Sequence, residues 1–543
     1  MRGFETETGT PWYAVGAGDT YNRWLLALFS GVLLGIPWVY PSFSSLIFVA
    51  WLPLFQLEAG LRRQGKTYLL FNYALVSFLL WNILGTWWIA RAYVPGAVLI
   101  ILTNALLQAA CFRLASGLGK HVGAPFILPF TLIWMGFEHF HEWWDLAWPW
   151  LNLGNALASS PVVVQWYEYT GARGGTLWII LANFAALKVH RDWVANRKKP
   201  LVRSCTGFLL VLLLPSLASW QIFRNVAAGS DSLPFVLVQP NLDPYTQKFV
   251  PEAQAGHLDA FFKTADASCD SKTRLLLGPE TLILNQIDEK DPTSSSELRR
   301  MKAFQQKYPQ LSILLGAHSF EKIPAGKVVP GSRCDPEKRI HFEAFNSALF
   351  LAPASTARFY HKTKLVPLFE RVPFLPYLGF LGRFSLELGG YVGTYSNRQA
   401  RSFFKAPGDA PDILPIVCFE SVFGSYCARR LSARKGIAVM ITNDGWWKHT
   451  PGYRYHFNFS RLRAIECRRD LIRAANNGIS ALIDARGTVV ARTSWWQPAV
   501  LKGEAHLRAG RTFFSRHGDY LGKATLLCAC VLCLWAAVCR RRP

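Results

Sequence analysis

A cysteine ends the apolar run Ile413–Val417, and the residues after it, Ser421 to Ala433, read as the start of a helix. A thiol at a strand-to-helix turn lies near helix N–H groups, whose partial positive charge favours a thiolate. Cys418 is therefore a candidate nucleophile. A thiol that attacks a carbonyl needs a group to take its proton and a group to hold the oxyanion. Leu275-Leu276-Leu277-Gly278-Pro279-Glu280 reads as a buried strand ending on a carboxylate, and an apolar wall would raise the proton affinity of Glu280. Lys362, in the stretch Tyr360 to Glu370, is the candidate cation, aided by the backbone N–H of Phe419. Each residue alone has a blander reading. A strand-ending glutamate is more often a cap or a salt bridge, and a cysteine on a strand is more often core.

Glu370 and Glu420 flank these positions; their functional reading is to orient Lys362 and tune its charge, and their blander reading is a pair of structural salt bridges. Trp446 and Trp447 follow a strand end and either line a pocket or pack. Five histidines of the polar part, His318, His361, His449, His456 and His517, sit in no protease motif and read as satisfied surface or core residues. Neither they nor the 11 cysteines show metal-ligand spacing.

The elements that must position these groups alternate. Strands are expected at about 234–239, 274–278, 312–316, 346–351, 413–417, 437–442 and 479–483, with helices at 251–265 and 456–475. This order argues an α/β domain with a largely buried sheet.

The rest of the chain is of another kind. Half of the 543 residues are apolar, with 21 Trp and 37 Phe, and only 17% are charged. Apolar runs at about 22–41, 43–58, 67–90, 92–115, 124–141, 162–188, 204–222 and 521–539 are mostly long enough to cross a hydrocarbon core roughly 30 Å thick. The net charge of +24 raises nucleic-acid binding, but no zinc-finger spacing, zipper heptads or stacking motif accompanies it. Much of that charge lies between apolar runs. Arg62, Arg63 and Lys66, then Arg113 and Lys120, then Lys188 to Arg203, and finally Arg540-Arg541-Arg542 occupy alternate connections. The positive-inside rule puts these in the cytoplasm and the segment from about 224 to 520 outside. The expected organisation is residues 1–223 as seven membrane helices, 224–520 as an outward domain, and 521–543 as a last helix with a basic tail. The Trp-rich loop around Trp148 then faces outward, as an interfacial belt or as a wall holding lipid near a site.

Glu280, Lys362 and Cys418, in this order and context, resemble the nitrilase superfamily. The flanks Leu365-Val366-Pro367, Glu370-Arg371-Val372-Pro373, Cys418-Phe419-Glu420, Thr442-Asn443-Asp444-Gly445-Trp446-Trp447, His456, Arg461 to Glu466, Asn476-Asn477-Gly478, Val238-Gln239-Pro240-Asn241 and Trp148-Pro149-Trp150-Leu151 resemble its membrane-bound branch, the apolipoprotein N-acyltransferases. The resemblance implies an α-β-β-α sandwich beside about eight transmembrane helices, in the inner membrane of a bacterium with the catalytic domain in the periplasm. It implies a Glu-Lys-Cys triad and no cofactor. It also implies ping-pong transfer of an acyl chain from a phospholipid to the N-terminal amine of a diacylglyceryl-cysteine on an apolipoprotein. The chain departs from the family at three places: Leu368-Phe369-Glu370 stands for Phe-Gly-Glu, Phe419 for a common tyrosine and Phe249 for a common tryptophan. The oily stretch 373–381, with Phe374, Leu375 and Tyr377, reads as a lid that meets lipid, and Gly389, Gly390 and Gly393 would let it move. Two other functions compete. A membrane-anchored nitrilase-like amidase for small amides shares the triad but needs no lid. A transporter needs charges buried among its helices, for which Glu138 and Glu168 near helix ends offer poor support.

Overall fold

The computed structural model describes residues 20–539 except 122, 228, 230, 325–326, 328, 330–331, 336–339, 375–376, 378–394, 400–402 and 405–409. The described residues fall into two compact units. The first draws on Met1–Trp144, Trp148–Arg224 and Asp519–Pro543, the second on Asp145–Ala147 and Asn225–Gly518.

The first unit is helical. Among the described residues, six segments are long and apolar enough to cross a membrane: Thr20–Val39, Pro41–Arg63, Thr67–Arg91, Val94–His121, Lys198–Asn225 and Tyr520–Val538. Two expected spans come out differently. The helix Ile127–Phe140 has 14 residues, and the run at 162–188 breaks into short turns before Ala172–Val194. Close approach of backbones is built in: a Cβ on Gly31 would stand 2.6 Å from Ser77 O on the helix Leu70–Thr86. Aromatic rings fill the interior around Trp51, whose centroid lies 4.6 Å from Trp134 and 5.1 Å from Phe130. Leu209, Leu213 and Leu217 on one helix and Leu527, Val531 and Leu534 on another are exposed, as lipid-facing residues must be.

Charge is also buried here, contrary to the sequence reading. Arg173 donates to Glu138, to Glu142 Oε1 at 2.7 Å and to Asp519 Oδ2 at 3.1 Å. The same Asp519 oxygen is 2.8 Å from His139 Nδ1, and Glu138 also accepts from Thr176 and from Leu153 N. The network ties the last helix to Ile127–Phe140 and Ala172–Val194. Every charge in it has partners inside the unit, so it reads as a structural tie. Arg173→Met would leave three carboxylates without their cation. The expected cost is about 3–5 kcal/mol, read as a lower unfolding temperature in detergent.

The second unit is a sandwich of two sheets. The strands are β1 (Asp231–Gln239), β2 (Leu275–Leu277), β3 (Ile283–Asp288), β4 (Ser312–Lys322), β5 (Arg333–Asp335), β6 (Ile340–Leu351), β7 (Arg358–His361), β8 (Asp412–Val417), β9 (Gly436–Thr442), β10 (Leu471–Ala475), β11 (Ala481–Ile483), β12 (Val489–Arg492) and β13 (Ala499–Leu507). The larger sheet runs β13-β1-β2-β4-β6-β5, with β3 on β4 and β7 on β6; the smaller runs β12-β11-β10-β9-β8. Alternation along each strand builds the layers. Phe235, Leu237, Ile413, Val417, Ile437, Val439 and Ile441 fill the space between the sheets. Their neighbours Val236 and Val238 pack under the helices Gln254–Asp266 and Ser296–Lys307. Leu414, Ile416, Ala438 and Met440 pack under Gly424–Arg429 and Gly452–Cys467. The result is the expected α-β-β-α order. One element differs: the helix expected to reach residue 475 stops at Cys467, capped by Arg468 in the left-handed region, and Leu471–Ala475 is a strand.

Candidate active site

The candidate residues lie just past the carboxyl ends of strands, where open α/β sheets place their sites. Glu280 leaves β2 through Gly278-Pro279, and the next residue, Thr281, has φ +49°. This turn rests on Gly316 of β4. A Cβ there would stand 2.5 Å from Glu280 Cα and 2.3 Å from Thr281 N, so no larger residue fits. Lys362 follows β7 at once, its N–H donating to Asn346 O at 2.8 Å. Cys418 follows β8 with φ +49° and opens a short 3-10 helix, Cys418–Val422. A non-glycine residue there is strained, and such strain collects at functional turns.

The side chains converge. The Lys362 ammonium donates to Glu280 Oε1 at 3.0 Å and to Glu370 Oε1 at 2.7 Å. Asn346 Nδ2 donates to the same two oxygens, at 2.9 and 3.1 Å. The Cys418 thiol is hydrogen-bonded to the Thr442 side chain and lies in the field of Glu280, Lys362 and Glu370. Glu280, Lys362 and Cys418 are all buried.

Two electrostatic expectations are reversed. Burial pushes the Cys418 thiol well up, Glu280 adds to this, and the opposing pull of Lys362 is too small to offset them. The resting sulfur is a thiol. Glu280 moves the other way: burial alone would raise its proton affinity, but the Lys362 ammonium, with Asn346 and Lys248, holds it below the ordinary carboxylate value. Burial also works against the charge on Lys362, yet Glu280 and Glu370 outweigh it and keep the ammonium well above its usual range.

Glu370 and Glu420 have different tasks. Glu370 pairs with Lys362 and fixes the loop between the two by accepting from Val366 N at 2.8 Å. Glu420 does not pair with Lys362. It accepts from Thr363 N at 2.9 Å, Val417 N at 2.9 Å, Tyr360 OH at 2.7 Å and Tyr426 OH at 2.7 Å. It therefore ties the chain after Lys362 to the chain before Cys418. Phe419 is buried edge-on against Phe423, at 5.1 Å between centroids. Phe249 stacks on Trp446 at 5.5 Å, and Tyr245 meets the same indole edge-on. Trp447 lies edge-on to His456 at 5.2 Å. Phe374 has φ +56° and donates its N–H to Asp145 Oδ2 at 2.7 Å, while Tyr377 is exposed. Leu375, Gly389, Gly390, Gly393 and most of the expected lid lie outside the described residues. Trp148 belongs to the helical unit, buried against Trp150.

Sequence reasoning missed several groups. Asn346, a polar residue in the buried run of β6, was the available signal for a site residue there. His456 is satisfied, as expected, but it sits directly behind the nucleophile. Its Nε2 is 3.0 Å from Cys418 O and 2.9 Å from Ser421 Oγ, and its Nδ1 is 2.8 Å from Asp444 Oδ1. Burial disfavours the Asp444 charge, but Arg473 at 2.7 Å and His456 hold it down at about 2. Lys248, buried, donates to Glu280 O at 2.7 Å.

Comparison with known proteins bears on the family. A family described as "Apolipoprotein N-acyltransferase N-terminal domain" matches residues 30–185, and one described as "Carbon-nitrogen hydrolase" matches residues 246–511. Among solved structures, an amidase of the nitrilase superfamily from Nesterenkonia is similar at a TM-score of 0.33 and 12% identity, over 54% of this chain and 96% of that one. The apolipoprotein N-acyltransferase of Chlorobaculum tepidum is 29% identical over 95% of this chain and 97% of its own. That of Geobacter metallireducens is 27% identical over 96% and 95%, and that of Azotobacter vinelandii 28% over 95% and 95%. With a helical unit and a nitrilase-type sandwich in one polypeptide, and likeness along nearly its whole length, the chain belongs to the apolipoprotein N-acyltransferase family.

Proposed function

We propose that this chain moves an acyl chain from a phospholipid, through a thioester on Cys418, to the N-terminal amine of a diacylglyceryl-cysteine on an apolipoprotein. The observation that carries this reading is the buried Lys362 ammonium, bridging Glu280 and Glu370 beside the Cys418 thiol. In the first half-reaction the sulfur attacks the ester carbonyl and Glu280 takes the thiol proton. The resting proton affinities oppose that transfer, so proton loss is coupled to carbon–sulfur bond formation rather than preceding it. Negative charge then moves to the carbonyl oxygen, where Lys362 and the Phe419 N–H stabilise it. The ester carbon–oxygen bond breaks, Glu280 returns the proton to the leaving oxygen, and a lysophospholipid departs. In the second half-reaction the lipoprotein amine attacks the thioester. Glu280 takes the amine proton, the carbon–sulfur bond breaks, and the sulfur recovers its proton. Phe249 and Trp446 offer an apolar surface to the acyl chain, a role that fits their stacked, half-buried rings. Loop charges support a multi-pass protein with this domain on the outward side, which for this family means the periplasmic face of a bacterial inner membrane.

Exposure to phospholipid alone tests the reading. The Cys418 peptide is expected to gain the mass of one acyl group, labile to hydroxylamine. An unchanged peptide, with hydrolysis of a soluble amide in its place, would make the protein an amidase.

A further inference from the structure

We propose that Lys248 is a second buried cation of this site: it fixes the main chain of Glu280, and its charge lets Cys418 ionise beside two carboxylates. The proposal rests on the reading of Cys418 as nucleophile. Lys248 Nζ donates to Glu280 O at 2.7 Å and stands 5.6 Å from the centre of the Phe249 ring. Among the described residues it has no carboxylate partner of its own. Its hydrogen bond anchors the strained Glu280–Thr281 turn, which also rests on Gly316.

Charge counting gives the second role. Lys362 offsets only one of Glu280 and Glu370, so the group carries one net negative charge before any thiolate forms. Loss of the Cys418 proton to solvent, the event that alkylation reads, would make it two, whereas its transfer to Glu280 would leave it at one. In the first case an ammonium on Lys248 keeps it at one. Burial pushes Lys248 down to about 7, while the charges of Glu280 and Cys418 pull the other way. The other titratable groups facing it are His257 and His318. Burial lowers both, His318 to about 4, so His318 adds no charge near neutrality. The sign follows. Below pH 7 Lys248 is charged and favours the thiolate; above it the proton is lost and that help disappears. Lys248 is thus a positioning and charge-balancing residue acting through Glu280 and Cys418.

Alkylation of Cys418 by iodoacetamide, followed by mass against pH in the full-length protein, reads thiolate without requiring acyl transfer. The wild type is expected to show a step near pH 7. Lys248→Met should remove the step and slow alkylation at pH 6 by about tenfold, the equivalent of one pKa unit. Lys248→Arg, charged at every pH, should remove the step but keep the fast rate. A Lys248→Met profile that superimposes on the wild type, or a Lys248→Arg rate as slow as Lys248→Met at equal melting temperature, would overturn the proposal. A wild-type step with no acyl-enzyme on phospholipid would instead sink the transfer reading and leave this one standing.

Discussion

Cys418→Ala is expected to abolish transfer of a labelled phospholipid acyl chain to a diacylglyceryl peptide. Where a nucleophile works as one unit with its base and oxyanion donors, its removal costs about a million-fold, because the remaining members have nothing to activate. The fold should survive. Alanine meets the same strain at φ +49° as cysteine does, and loss of one buried sulfur costs about 1 kcal/mol. His456 still holds the carbonyl of residue 418, and Glu420 still holds Val417 N. The variant should therefore melt close to the wild type while transferring nothing. Transfer at the normal rate would rule out the thioester route altogether, since no other described cysteine shares the surroundings of Glu280 and Lys362.

Glu280 and Cys418 were legible because each closely follows a short apolar strand, whereas Lys362 follows the mixed strand Arg358–His361, which was not expected, and was legible only from the apolar segment and motif beside it. A strand end is a place that sequence periodicity can find. The two-sheet core was legible for a related reason: strands such as Val236–Val238 and Leu414–Val417 are apolar on both faces, which only a layer covered on both sides tolerates. What stayed hidden depends on which groups meet. Nothing in the spacing of Glu370 and Glu420 tells that one pairs with Lys362 and the other with the backbone N–H groups of Thr363 and Val417, on two distant segments. The Cys418 shift was misread because burial there outweighs the pull of Lys362, and the Glu280 shift for the opposite reason. Burial can be inferred from an apolar run, but the distance to a counter-charge cannot, and at 3.0 Å the counter-charge wins. The early end of the helix at Cys467 turns on Arg468 adopting a left-handed conformation that is uncommon outside glycine and asparagine. In the helical unit, Arg173 and its carboxylates lie far apart in sequence, so a cluster of paired charges looked like isolated residues near helix ends.

Lys362→Met should remove both catalysis and a large share of stability, and its pH dependence separates the two. Thioester formation is expected to fall by about 10²–10³-fold or more, the scale of losing one preorganised oxyanion donor. Structurally, the substitution leaves Glu280 and Glu370 facing one another across the Asn346 amide with their cation gone. Breaking a buried pair in this way costs about 3–5 kcal/mol. In the wild type the folded-state pKa of Glu280 is depressed, so its contribution to stability is present above the unfolded carboxylate value and is lost as pH falls through the folded one. In the variant the depressing cation is missing and burial remains, so the folded pKa rises above the unfolded value. Glu280 then costs stability at pH 7.5, and the cost fades as the pH falls through that raised value. Thermal melts at pH 7.5 and 5.5 should therefore converge: the variant lies well below the wild type at the higher pH and closer to it at the lower. Melting curves that stay parallel across this range would mean that the two carboxylates are not held through Lys362, and the electrostatic account of the site would fail with them.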